Sequence, residues 1–321
     1  MCAMSVYITR AIPEAGIAKL TAAGLSVSMN PFGRQLLSEE LRDEVGRHDG
    51  VICQLADRID EDVLRAGLPR CKVFAACAVG YDNIDLVAAK QLGITITNTP
   101  DVLTEATADL TWALLLATAR RLGEGERVVR AGAWRGWGML DFLGVDVCGK
   151  TLGIVGAGRI GTAVARRASG FSMQVVYYDR DRREQIESLG ARYVSLTSLL
   201  ESSDFVSLHT PLTEETRHLI DRKTLECMNR HAVLINTSRG AVVDQAALLE
   251  ALQYGRIAGA GLDVYENEPV VPRELLALEN VVVLPHIGSA TVSTRSRMAE
   301  IAAENVIAVL RGEEPPTPVK E

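Results

Sequence analysis

The sequence predicts an α/β chain folded as two doubly wound parallel-sheet domains, and three observations carry that expectation. Short β-branched runs alternate with helical patterns along the chain. The strand runs fall into two series with a long helix between them, and the second series opens on a strand that passes directly into a glycine-rich turn. At 321 residues, 47% of them hydrophobic, the chain also exceeds what a single core ordinarily organises.

The first series runs through residues 6–9, 25–29, 51–54, 73–76 and 94–97. Residues 104–121 follow, helical by the spacing of Leu110, Leu114, Ala117 and Arg121, with Thr104 placed as N-cap after the Pro100 turn. This helix is expected to cross between domains. The second series, 151–155, 174–178, 205–208, 233–236, 261–264 and 281–284, supplies the six strands of a complete Rossmann-type dinucleotide fold. One more helix, 292–310, then returns to the first domain ahead of a tail that is proline-rich from Pro315. The expected division is therefore 1–102 with 287–321 for one domain and 103–286 for the other.

Composition narrows the partners. A net charge of −7 with both signs interspersed argues against a nucleic acid or an anionic membrane surface, so an anionic substrate needs a local positive group. The most apolar helical stretch lies between Asp109 and Arg120, too short to span a bilayer. The N-terminus lacks the basic and apolar regions of an export signal. Cys2, Cys53, Cys71, Cys77, Cys148 and Cys227 form no C-x-x-C pair and no His/Cys cluster at metal-ligand spacing. Reduced thiols, a cytoplasmic setting and no metal site are expected.

The strand at 151–155 runs into Gly156, Ala157, Gly158, Arg159, Ile160 and Gly161, after which Ile160, Val164 and Ala168 mark one face of a helix. In this pattern the first glycine permits the tight turn, the second lets a pyrophosphate approach the backbone, and the third lets helix and strand pack closely. The helix N-terminus then offers N–H groups to the anion. Asp179, 18 residues past Gly161, closes the next strand where a carboxylate accepts from the adenosine ribose hydroxyls and repels a 2′-phosphate. NAD is favoured on that ground. Arg180, Arg182 and Arg183 follow immediately, so NADP stays open.

Ligands of doubly wound sheets sit beyond the carboxyl ends of the strands. There the sequence places Thr237, Ser238 and Arg239, then Glu266 and Glu268, then Pro285 and His286. A guanidinium matches a carboxylate and polarises the neighbouring carbonyl, an imidazole titrates in the range useful for general acid/base work, and a carboxylate can fix its tautomer. Together they suit reduction of a 2-keto acid. His209 also ends a strand, and position alone does not separate it from His286. His48, His218 and His231 are expected in loops or at the surface.

Segments 79–85, 98–100, 153–161, 209–213, 236–244, 261–269 and 284–290 together resemble the D-isomer-specific 2-hydroxyacid dehydrogenase family over nearly the whole chain. The resemblance implies an oxidoreductase in which Arg239 binds substrate, Glu268 and His286 form the acid/base relay, and Asp263 holds the nicotinamide carboxamide. It extends the cofactor contacts from Gly156, Gly158, Arg159, Ile160, Gly161 and Asp179 to Thr107, Thr210, Pro211, Thr216, Thr237, Ser238 and Gly288. The first domain becomes a flavodoxin-like substrate domain, with the cleft between the two. There Val79 and Gly80 hold the substrate carboxylate through backbone N–H groups, and Leu55 lines the pocket.

Within the family, Trp134, Arg135, Gly136 and Trp137 resemble the glyoxylate/hydroxypyruvate reductases, where the second tryptophan reaches across a homodimer. A proline common two residues beyond it is Met139 here. Phosphoglycerate dehydrogenases carry an arginine where Ala76 stands and phosphite dehydrogenases a lysine where Val79 stands, so a small substrate with an uncharged tail is expected. Other acids of the D-lactate or 2-ketogluconate type remain open. An alternative of another class, an NADH-sensing corepressor or scaffold, would favour a long disordered tail, whereas this sequence ends at Glu321.

Overall fold

The protein is described from a computed structural model over residues 4–319; Cys2 and Glu321 lie outside the described residues. It divides into two compact units, the first running to Leu103 and resuming at Ser289, the second being Thr104–Gly288.

The first unit is built on five parallel strands, β1 (Ser5–Ile8), β2 (Ser26–Met29), β3 (Gly50–Cys53), β4 (Val73–Ala76) and β5 (Thr95–Thr97). Their order, β2-β1-β3-β4-β5, is that of the flavodoxin-like fold. Strand side chains alternate between two apolar layers, as a sheet covered on both faces requires. Tyr7, Val51, Cys53, Phe74 and Ala76 pack with Leu41, Val45, Val63, Leu64, Ala88 and Ala89 from three helices on one face. Val6, Ile8, Ile52, Val73 and Ala75 face Leu20 and the small side chains of the C-terminal helix Val292–Leu310. That helix approaches so closely that a Cβ at Gly16 would lie 2.7 Å from the Ala299 carbonyl oxygen. Beyond it, Pro318 bridges antiparallel to Thr97, and the Val319 amide donates to Ile96 O at 2.9 Å.

The second unit holds a seven-stranded parallel sheet: β6 (Thr151–Val155), β7 (Gln174–Tyr178), β8 (Arg192–Tyr193), β9 (Phe205–Leu208), β10 (Val233–Asn236), β11 (Gly259–Leu262) and β12 (Val281–Val283). The order is β12-β11-β10-β9-β6-β7-β8, so the order in which parallel strands are added reverses between β6 and β9. In a doubly wound sheet that reversal opens a crevice at the carboxyl ends. Helix Thr104–Ala119 belongs to this unit, burying Ala108, Trp112, Leu114 and Leu115 against Leu152, Ile154, Phe205 and Ile235. The Trp112 indole donates to Val164 O at 3.0 Å and stacks on Phe171, which ties this helix to helix Arg159–Ala168.

Several local expectations shift. The sheet has seven strands rather than six, because the two-residue β8 is too short to leave an alternating pattern. Strand β11 begins and ends two residues earlier than the sequence pattern placed it, leaving Asp263 just past its end. Thr104 is the first helical residue and not the cap, and Arg121, at φ +52°, lies beyond the helix it was assigned to. His48 lies in a loop, as expected, but it is buried there, bonded to Glu44 O at 2.7 Å and set against Tyr7. Among the described residues no helix is long and apolar enough to cross a membrane.

Candidate active site

All seven strands of the second unit are parallel, so their carboxyl ends and the segments that follow them share one edge of the sheet. At the end of β6 the three fingerprint glycines meet three different surroundings. Gly156 has φ +93°, and a Cβ there would sit 2.8 Å from His209 backbone atoms. At Gly161 a Cβ would fall 2.1 Å from the Gly156 carbonyl oxygen, whereas at Gly158 it would meet nothing within 4 Å. Turn, open approach and close packing are thus realised by the structure. Gly158 is exposed, as are Arg159 and the start of the following helix, while Ile160 is partly buried against its core.

Asp179 follows β7 and accepts from the Ala157 amide at 2.9 Å, which fastens the glycine turn to the neighbouring strand end. Its other oxygen takes the Arg180 amide at 2.7 Å and the Arg183 guanidinium at 3.4 Å, while Arg182 is turned to Glu187 at 2.9 Å. After β9, the Thr210 hydroxyl is buried without a partner. Thr216 closes the next turn, its hydroxyl donating to the exposed Pro211 at 2.6 Å.

Beyond β10, the buried Asn236 side chain accepts from the amide and hydroxyl of Ser238 and donates to Arg239 O at 2.9 Å, folding the backbone so that Arg239 stands half-buried at the strand end. The Arg239 guanidinium donates to Ser238 O at 2.8 Å. Thr237 bonds Thr111 at 2.9 Å, anchoring the turn to helix Thr104–Ala119.

Asp263 organises the last two strand ends. Its carbonyl accepts the His286 amide at 2.9 Å and its Oδ1 accepts the Ile287 amide at 2.7 Å. Its Oδ2 is buried without a partner, next to Thr107 and Gly288. Burial pushes this carboxyl up, against the opposing influence of the Ile287 amide and the His286 charge. His286 adopts φ +52°, a left-handed conformation that costs a non-glycine residue about 1–2 kcal/mol, and Asp263 holds it there. In this pose Nδ1 of His286 donates to Glu268 Oε2 at 2.8 Å. Glu268 Oε1 accepts from the Tyr265 amide at 3.0 Å. Burial alone would raise the Glu268 carboxyl, but the bond and charge of His286, the Tyr265 amide and the nearby Arg239 charge hold it below its ordinary value.

The two histidines that strand position could not separate differ in surroundings. His209 faces the Ser207 hydroxyl at 2.8 Å, and burial pushes its imidazole down to about 3, so it stays neutral across ordinary pH. His286 has the carboxylate. Glu266 is taken by His218 at 2.7 Å, and His231 pairs at the surface with Asp204 at 3.0 Å. Sequence reasoning missed Asn236, whose only signal is an amide closing a strand before a polar turn, and the Tyr265 amide, which leaves no side-chain signature.

In the first unit, Leu55 and the pair Val79 and Gly80 follow β3 and β4, again at carboxyl ends, and all three are partly exposed. The turn bearing Leu55 is fixed by Asp57, which accepts from Thr9 and from the Gln54 amide at 2.8 Å. Trp137 lies in the second unit within an irregular stretch and is 79% exposed. Among the described residues no group of three or more His, Cys, Asp or Glu side chains is placed to hold a metal.

A family model, D-isomer specific 2-hydroxyacid dehydrogenase, NAD binding domain, matches residues 112–288. The chain belongs to the D-isomer-specific 2-hydroxyacid dehydrogenase family. A glyoxylate reductase of Korarchaeum cryptofilum is 53% identical over 322 residues, covering 98% of this chain and 96% of the relative. Among solved structures, the TT0316 protein of Thermus thermophilus superposes with a TM-score of 0.92 at 49% identity, covering 99% and 100% of the two chains. The NADPH-dependent glyoxylate/hydroxypyruvate reductase of Sinorhizobium meliloti, solved with NADP and malonate, gives 0.86 at 36% identity over 98% and 96%. As a member of this family the protein is a nicotinamide-dependent oxidoreductase acting on small 2-keto or 2-hydroxy acids, and its glycine turn, its Asp179 and the unpartnered Asp263 oxygen fit such a cofactor.

The glycine geometry separates folding from binding. Gly158→Ala should leave the melting temperature at the parental value yet weaken NADH binding, because the added methyl stands where the pyrophosphate approaches the backbone. Gly161→Ala should instead lower the melting temperature, because its Cβ has no room. Calorimetry and NADH fluorescence titration check both, and parental NADH affinity in Gly158→Ala would contradict the placement.

Proposed function

We propose that the protein reduces glyoxylate and hydroxypyruvate to the corresponding 2-hydroxy acids with NADH, using His286 as proton donor, Glu268 as its support and Arg239 as anchor for the substrate carboxylate. The observation that carries this reading is the 2.8 Å His286–Glu268 pair, held by the Asp263 turn on the same sheet edge as the glycine loop and Arg239. When bound, the nicotinamide supplies a hydride to C2. Arg239 holds the carboxylate and polarises the neighbouring carbonyl, and His286 delivers a proton to the carbonyl oxygen. Asp263 would receive the carboxamide N–H on its unpartnered oxygen, beside Thr107 and Gly288. In this reading the first unit is the substrate domain, with Val79, Gly80 and Leu55 at its own strand ends as the substrate-binding residues, and the second unit is the dinucleotide domain.

Ala76 and Val79 place no cation where a phosphorylated or phosphite substrate would need one, and relatives near half identity are named glyoxylate reductases. A panel of 2-keto acids assayed with NADH tests the reading, and phosphohydroxypyruvate or phosphite emerging as best substrate would sink it. Five described cysteines, all free, accord with a cytoplasmic setting.

The residues should fail in different ways. His286→Ala should lower kcat by about 10²- to 10⁴-fold with NADH binding near parental. Arg239→Ala should raise the keto-acid KM and lower kcat as well. In Glu268→Gln a neutral amide replaces the carboxylate that favours the imidazolium. The fall-off of reduction on the alkaline side should therefore move to lower pH. Near-parental kcat in His286→Ala, or a greater loss in His209→Ala, would move the acid to residue 209.

NADH should be used better than NADPH because Asp179 repels a 2′-phosphate. The Sinorhizobium relative uses NADPH, so the comparison of kcat/KM with the two cofactors is a direct test. Asp179→Ser should narrow the difference, and equal parental values with both cofactors would contradict the role of Asp179.

A homodimer is part of the same reading, with Trp137 reaching the partner's substrate. Trp134, Trp137, Met139, Leu140 and Leu143 are 60–80% exposed in one stretch, an apolar surface that monomers rarely leave bare. Light scattering at micromolar concentration should give twice the chain mass, and Leu140→Glu should shift it toward the monomer. A parental monomer would overturn the assignment.

A further inference from the structure

We propose that Asn98 is a positioning residue that aims the Gly80 amide at the substrate carboxylate, and that the C-terminal segment holds Asn98 in place through Asn305 and Thr317. The proposal rests on the reading above in which the Val79 and Gly80 amides receive that carboxylate.

Asn98 Nδ2 donates to Val79 O at 2.8 Å. The 79–80 peptide bond is trans, so its carbonyl and the Gly80 N–H lie in one plane and point in opposite directions. Fixing the oxygen therefore fixes the direction of the N–H. The constraint matters because a peptide unit joined to glycine rotates more freely than any other. Among the described residues neither the Val79 nor the Gly80 amide has a hydrogen-bond partner, which leaves both donors for a ligand.

Asn98 is itself held from the far end of the chain. Its amide donates to Thr317 O at 3.2 Å. Its carbonyl accepts the Thr317 hydroxyl at 2.6 Å and Asn305 Nδ2 at 3.3 Å. The Thr317 amide in turn donates to Asn305 Oδ1 at 3.0 Å. Asn305 is fully buried in helix Val292–Leu310, where an amide persists only if its polar atoms are bonded. The side chain spends those bonds on residues 98 and 317, which are 219 positions apart from each other. Thr99, whose amide donates to Ala78 O at 2.8 Å, ties down the opposite side of the same loop.

Steady-state kinetics of the full-length protein with glyoxylate and NADH test the proposal. Asn98→Ala should raise the glyoxylate KM about tenfold, the worth of one aimed hydrogen bond to a charged group, with the NADH KM at its parental value. Asn98→Asp should raise it further, because a carboxylate facing Val79 O repels it and turns the peptide. Thr317→Val, with Asn98 intact, should produce a smaller rise in the same parameter. Should Asn98→Ala not fold, Thr317→Val decides, and a parental glyoxylate KM in that variant overturns the proposal. A lower melting temperature with both KM values parental in the Asn98 variants would mean a structural role alone and also overturns it. Arg239→Ala separates the two levels of argument. A rise in glyoxylate KM there with none in the Asn98 variants leaves the substrate site standing and removes Asn98 from it; silence in all three removes the site reading, and the proposal with it.

Discussion

Parallel pairing is the constraint on which the second unit depends. When seven strands run the same way, every return connection lies on a face of the sheet and every strand ends at the same edge. Residues far apart in sequence are thereby gathered without any dedicated contact between them. The glycine turn after β6, Asp179 after β7, Thr210 after β9, Arg239 after β10, Asp263 and Glu268 after β11 and His286 after β12 share that edge because the sheet is parallel. The first unit obeys the same rule with five strands, which puts Leu55 and the Val79–Gly80 pair at carboxyl ends as well.

Gathering is coarse, and the finer aim comes from polar side chains spent on backbone. Asn236 folds the turn that presents Arg239, Asp179 ties the glycine loop to its neighbour, and Asp263 holds His286 in a left-handed conformation that it would not otherwise favour. Asn236 and Asp263 are buried while Arg239 and His286, the side chains they aim, stay half-buried, as rigid support of a reactive position requires.

Burial also sorts the titratable groups. Buried without a charged neighbour, His209 is held neutral, whereas His286 has a carboxylate within hydrogen-bond reach. Asp263, buried with one oxygen unpartnered, carries a cost that an incoming amide donor would relieve. Glu268 is pulled the other way by its cationic neighbours. The two carboxyls, Asp263 and Glu268, are thus shifted in opposite directions by their surroundings.

The two parallel sheets, most strand positions to within two residues, the long helix that follows the first strand series and the glycine fingerprint are legible in the sequence, because alternation, helical spacing and turn chemistry act over a few neighbouring residues. The sequence also placed Arg239, Glu268 and His286 at strand ends, and the family's motif segments are read directly from it. The two-residue β8 and the burial of His48 left no local pattern. Which histidine meets a carboxylate, which oxygen of Asp263 stays without a partner, and how Asn305 reaches Asn98 across 207 positions were decided only by the tertiary structure. Those pairings depend on where whole elements pack, and packing is a property of the assembled sheet and its helices rather than of any short stretch of chain.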